Sequence, residues 1–210
     1  MCTGRVDLSF ILRALSKGAD GVFIGGCWPG ECHYITEGNY DALANLHLCR
    51  KLLQRVGVDT GRLRLEWVAA SEGSRFAEVM DNFVGTLEGL GPLGADGGDS
   101  ALKGKLAAVE RLVPYIKLVE RERLRTPARD EEAVNAHYTS DEINRLFDEL
   151  VGSKLVTSQI LSLLGEGPRS TSQIAEHLEL APSEVSRHMK NTSRQGLVRF
   201  DVDQNRFVLA

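Results

Sequence analysis

GVFIGGCWPGECHY, residues 21–34, runs a short apolar segment straight into two cysteines separated by four residues. Gly21 to Gly26 reads as a buried parallel strand, because a brief apolar run bounded by glycines suits a strand covered on both faces. Cys27 falls at its carboxyl end, where α/β sheets leave the scaffold and place their chemistry. Pro29 and Gly30 supply a chain reversal, which is expected to bring Cys27 and Cys32 to one side.

Outward from this stretch the pattern alternates. Asp7 is placed to cap a helix carrying Leu8, Ile11, Leu12 and Leu15, with Gly18 at its end. A second helix is predicted from about Asn39 to Val56. Arg62 to Val68 reads as another strand, and a helix opening at Ser71 carries Phe76, Val79, Met80 and Phe83 on one face. The expected fold class is α/β, a partial open parallel sheet of flavodoxin-like order with its first strand missing, then a helical linker and a C-terminal winged-helix domain. Two strands make a poor sheet. Either a partner supplies the rest, or the reading frame begins upstream of Met1.

The 210 residues divide on this reading into an α/β domain at 1–90, a Gly-rich linker with a charged helix at 91–138, and a winged helix-turn-helix with its preceding helix at 139–210. In the linker, Leu106, Val109, Val113 and Ile116 form a stripe on a helix from Ala101 to about Arg125, which Pro114 should kink. Thr126 to Tyr138 is expected to be irregular in part, and Thr139 to Glu142 has capping-box spacing. Farther on come a helix through Ile160 to Leu164, a short one from Thr171 to Leu178, one opening at Pro182, and a hairpin of Leu197 to Val202 with Arg206 to Leu209.

Composition bounds the partners. With 42% hydrophobic residues and a net charge of −4, the chain can bury real cores and is poorly suited to coating nucleic acid. No apolar run is long enough for a membrane span and no leader pattern opens the chain, so it is expected in the cytoplasm. From Lys154 to Ala210 seven Lys or Arg face six Asp or Glu. That balance is weak for neutralising phosphates. Ser183, Ser186, Arg187, Lys190 and Asn191 form the candidate groove-reading face, but docking to protein ranks above binding to DNA.

All four cysteines, Cys2, Cys27, Cys32 and Cys49, lie in the first quarter of the chain. In a reducing compartment such clustering points to ligands or redox groups. Cys2 occupies the loop position equivalent to Cys27, after the absent first strand, so the two loops can converge. Three converging thiolates repel unless a cation or an iron cluster neutralises them. Cys-x4-Cys is a spacing found among iron–sulfur ligands, whereas structural zinc favours closer pairs. Cys49 shares the apolar face of its helix with Leu46, Leu53 and Val56 and reads as core. His33 reads as a loop hydrogen-bonding group, Trp28 as a partly exposed loop aromatic or a shield over the cysteines, and Arg5, Arg62 and Arg64 as solvated or paired with carboxylates.

Cys2-Thr-Gly-Arg-Val-Asp7, the run GADGVFIGGCWPGECHY with its following GNY, and RLRLEWVAASEGSRFAE together resemble the delta subunit of methyl-viologen-reducing hydrogenases, over roughly residues 1–90. The resemblance implies a non-catalytic electron carrier holding a [2Fe–2S] cluster, which links a hydrogenase or other donor to the flavoprotein subunit of a heterodisulfide-reductase-like complex. Cys2, Cys27 and Cys32 match the family's cysteine motifs and Cys49 does not. The family often has His where this chain has Trp28. Family members usually carry an upstream strand with Cys-x-x-Cys, so the expectation here is a truncated frame, an upstream UGA codon having been taken as a stop. The C-terminal stretch, with Gln173 to Ala175, Val185 to His188 and Gly196 to Val198, resembles bacterial winged-helix regulators. Two alternatives stand beside the electron carrier: an iron–sulfur redox-sensing winged-helix transcription regulator, and a zinc-stabilised adaptor.

Overall fold

The computed structural model describes residues 2–94 and 99–210, and the side chains of Asp99 and Ser100 fall outside that description. The centre of the expected glycine-rich loop, 95–98, therefore lies outside the described residues.

Helix α1 (Leu8–Ser16) starts where Asp7 accepts the Ser9 N–H, and it buries Leu8, Ile11, Leu12 and Leu15. Strand β1 (Val22–Gly26) leads through the cysteine loop into α2 (Gly38–Arg55), then β2 (Leu63–Trp67) and α3 (Gly73–Leu90). The strands pair in parallel from Val22↔Leu63 to Gly26↔Trp67. They are hydrogen-bonded to each other directly, whereas a flavodoxin-like order places the strand ahead of α1 between them; in this chain that middle position is closed. Strand alternation sets the faces. Ile24, Leu63 and Trp67 are buried in the core shared with α1 and α2, while Phe23 points the other way and packs its ring on Phe76 and Phe83 of α3.

Helix α4 (Asp99–Val119) runs through Pro114 and continues into a wider π-helical segment, Glu120–Leu124. Its expected stripe is real: Leu106, Val109, Val113 and Ile116 are buried in the same core as α1 and α2. Each such side chain contributes roughly 1.5–3 kcal/mol relative to exposure. Arg13–Glu110 at 3.1 Å and an Asp7–Lys117 pair clamp α1 to α4. Next follow α5 (Glu131–Thr139), α6 (Asp141–Phe147) and a π-helical turn, Asp148–Gly152. The cap of α6 is Ser140, which accepts the Ile143 N–H, and not Thr139. Thr139 ends α5, with its hydroxyl bonded back to the Asn135 carbonyl.

Helix α7 (Ser153–Gly165), α8 (Thr171–Leu178) and α9 (Pro182–Arg194) precede an antiparallel hairpin of β3 (Val198–Asp201) and β4 (Arg206–Leu209). Ser170 and Gln173 form a reciprocal capping box on α8, and Arg169 bridges Phe207 as a short third strand. A second core gathers Ile160, Leu163, Ile174, Val185, Met189 and Val198. Val151, in the π-helical turn, and Leu155, at the start of α7, belong instead to the first core. Ser158 donates to the Ala108 carbonyl at 3.0 Å, tying α7 to α4. No described helix is long and apolar enough to cross a membrane.

Candidate cysteine site

Cys2 and Cys32 sit 30 residues apart in sequence, and their sulfurs are in contact at 3.5 Å. What brings them together is the start of α2. A Cβ built on Gly38 would fall 2.5 Å from the Cys32 sulfur and 2.6 Å from the Cys2 sulfur, so both thiols rest on bare backbone that only glycine provides. Gly4 repeats the device one layer out, its own Cβ position lying 2.6 Å from the Gly38 carbonyl oxygen. The short 3-10 turn Thr3–Arg5 is thereby pressed onto the first turn of α2, and Thr3 fixes it from the other side by donating to the Gly25 carbonyl at 2.9 Å.

Cys27 lies just past β1, half-buried, with its carbonyl accepting from the buried Asn39 amide at 2.6 Å. It adjoins the same helix start without completing a cage: among the described residues no three His, Cys, Asp or Glu side chains surround one point. The pair of thiols that meet is thus Cys2 with Cys32: the Cys2 loop converges on the site as expected, while the Pro-Gly reversal does not bring Cys27 into the contact. Gly30 adopts φ +88°, and the turn it makes tucks Cys32, only 4% exposed, beneath Gly38. Burial and the neighbouring Cys32 sulfur raise the Cys2 thiol above its ordinary value, against the pull of the Gly4 N–H.

Cys49 is fully buried among leucines of α2, and burial alone pushes its thiol up to about 12. It is an apolar filler there, as its helix position suggested. His33 is exposed and stands edge-on to Tyr34. Trp28 is partly exposed, as expected of a loop aromatic, but it is held in place. Its indole N–H donates to Glu72 at 2.7 Å, and the same carboxylate oxygen accepts the Ala69 N–H, stapling the loops that follow β1 and β2. These two donors hold the Glu72 carboxyl below its usual range, and the Arg75 guanidinium lies over the indole ring at 5.0 Å.

Of the three arginines, Arg64 pairs with Glu66 at 2.7 Å and Arg5 is exposed. Arg62 departs from expectation. It is 6% exposed and donates to the carbonyls of Asp20, Leu90 and Gly91, capping the carboxyl end of α3. Gly38, Asn39 and Glu72 escaped notice as site residues. The GNY signature held the first two, but only the folded contact shows that Gly38 is the floor under two sulfurs.

A thiol pair at this spacing suits one metal ion, because two sulfurs bound tetrahedrally at about 2.3 Å stand roughly 3.8 Å apart. Comparison with known proteins assigns the scaffold. Residues 1–91 match the family model of the methyl-viologen-reducing hydrogenase delta subunit. The chain belongs to this family. The iron-sulfur protein of the F420-non-reducing hydrogenase of Archaeoglobus profundus is 54% identical over 91 residues, which cover 43% of this chain and 66% of that protein. Its counterpart in the vhu F420-non-reducing hydrogenase of Methanopyrus kandleri is 35% identical over 92 residues, covering 44% of this chain and 69% of the relative. One component of the ferredoxin:CoB-CoM heterodisulfide reductase of Methanosarcina mazei is 43% identical over 96 residues, 46% of this chain but only 12% of that larger protein. Residues 157–199 match a second model, the bacterial regulatory proteins of the arsR family. As a delta-subunit family member with a regulator-type helix-turn-helix, this chain joins two sequence families through α4 and α7.

Proposed function

We propose that the chain is an iron–sulfur electron-transfer subunit, passing electrons between a hydrogenase or other donor module and a heterodisulfide-reductase-like flavoprotein in the cytoplasm. The observation that carries this reading is the Cys2–Cys32 contact over Gly38, set in a chain whose relatives are named iron-sulfur subunits of hydrogenases. Cys2, Cys27 and Cys32 are the proposed ligands of a [2Fe–2S] cluster, with the remaining ligand from outside these three.

Such a cluster supplies one-electron chemistry at a potential tuned by hydrogen bonds to sulfur and by exposure. The residues here contribute positioning. Gly4 and Gly38 hold the Cys2 turn flush on α2, Asn39 fixes the Cys27 backbone, and the Trp28–Glu72 staple anchors the loop between the two motif cysteines. Burial of Cys32 keeps water from that sulfur. The division into an iron–sulfur unit at 1–90, a linker at 91–138 and a winged-helix unit at 139–210 forms part of the same proposal, with the last serving as a docking module.

Anaerobic purification of the full chain with its co-purifying subunits tests the reading, by iron and sulfide analysis and electron paramagnetic resonance after reduction. Brown protein with iron and acid-labile sulfide is expected. Colourless protein with stoichiometric zinc would reject electron transfer in favour of a zinc-stabilised adaptor.

A second reading, an iron–sulfur redox-sensing transcription regulator, is favoured by one feature. Ser183, Ser186, Arg187, Lys190 and Asn191 are all exposed along α9. It predicts salt-sensitive binding to the promoter of its own gene, measured by fluorescence anisotropy at two ionic strengths.

A further inference from the structure

The Cys2 and Cys32 sulfurs touch without being bonded, and the fold gives them little freedom to part. Gly38 backs both, Gly4 presses the Cys2 turn against the same helix start, and Thr3 pins that turn to β1. A disulfide requires a sulfur separation of about 2.05 Å, so side-chain rotation has only about 1.5 Å to close. Neither other cysteine competes. Cys49 is fully buried within α2, and among the described residues the sulfur–sulfur contact is between Cys2 and Cys32, not Cys27.

We propose that Cys2 and Cys32 of the metal-free chain form a reversible intrachain disulfide, with a small disulfide of the oxidised-glutathione type as oxidant. Their exposures set the order of events. Cys2 is partly exposed and meets the oxidant; Cys32, at 4% exposure, does not. The Cys2 thiolate attacks one sulfur of oxidised glutathione, which breaks that S–S bond, makes a mixed disulfide and releases one glutathione. The Cys32 thiolate, already in contact, attacks the Cys2 sulfur, breaks the mixed disulfide and releases the second glutathione. Two electrons pass from the cysteine sulfurs to glutathione, and the two thiol protons end on the two glutathione molecules. Because a disulfide sulfur has lost the thiolate charge that makes cysteine a metal ligand, the oxidised pair does not also hold a metal. Oxidation of the empty site and its loading are mutually exclusive.

The inference rests on the sulfur contact and holds whether or not the iron–sulfur reading does. Its test therefore uses the full chain stripped of metal by a chelator. The protein is incubated anaerobically with oxidised or reduced glutathione, denatured, alkylated with iodoacetamide, digested and mapped by mass spectrometry. The expected result is a linked Cys2–Cys32 peptide lacking two hydrogens, present only with oxidised glutathione and abolished by dithiothreitol, while Cys27 and Cys49 are alkylated. The Cys27→Ser chain should form the same link. Full alkylation of Cys2 and Cys32, a mixed disulfide that stalls on Cys2, or a link from Cys32 to Cys27 instead overturns the proposal.

Discussion

Gly4 lies directly on Gly38, backbone against backbone, with the Gly4 Cβ position only 2.6 Å from the Gly38 carbonyl oxygen. A glycine inside a helix normally weakens it. Here the first residue of α2 accepts that cost because two sulfurs and another peptide occupy the space a side chain would need.

Gly38→Ala should therefore destabilise the chain by about 1–3 kcal/mol through overpacking and push the Cys2 turn off the helix. Gly85, in the exposed interior of α3, has nothing within 4 Å of its Cβ position, so Gly85→Ala should stabilise by roughly 0.5–1 kcal/mol. Urea unfolding of the two variants should give shifts of opposite sign. Equal shifts would remove the argument that Gly38 is a packing requirement.

Cys49→Ser places a hydroxyl among leucines where the thiol is fully buried. A loss of about 1–3 kcal/mol is expected, with the iron content of purified protein unchanged. A drop in iron would move Cys49 from the core into the site.

Arg62→Met strips the Leu90 and Gly91 carbonyls of the guanidinium that caps them. Charge-assisted bonds of this kind are worth about 1.5–3 kcal/mol each, less when water replaces the donor. The thermal midpoint should fall measurably, and Arg62→Lys should recover only part of it, since an ammonium lacks the planar fork.

Burial, with the Arg187 guanidinium nearby, holds the His188 imidazole below its usual range. The folded chain then binds fewer protons there than the unfolded one, so this contribution is complete above about pH 6.5 and is lost as pH falls through the depressed value. His47, stacked on Tyr138 of the first core, acts in the same sense. Asp41 and Glu120, raised by burial, act in the opposite sense as pH rises through their folded values. Comparing wild type with His188→Gln cancels these other groups. The urea midpoint of the variant should fall less steeply on going from about pH 7.5 to 5.5.

Local signals carried most of the secondary structure. Asp7, the apolar run before Cys27, Pro182 and the turn after Asp201 each act within a few residues, so their elements stand close to where the sequence puts them. Features that depend on distant partners were not legible. Arg62 finds three carbonyls on two distant segments, and Trp28 finds Glu72 across 44 residues. Thr139 and Ser140 offer equivalent capping chemistry one residue apart, and which of them caps depends on where α5 ends. For the cysteines, the strand-end position and the convergence of the Cys2 loop were legible, but the touching pair is defined by Gly38 beneath both sulfurs, which only the folded contact reveals.

Helix α7 opens in one core with Leu155 and closes in the other with Leu163 and Leu164. The two cores are thus joined by hydrogen-bonded helical backbone and not by an extended linker. A partner gripping α9 would therefore act on a core that α7 joins to the cysteine-bearing one.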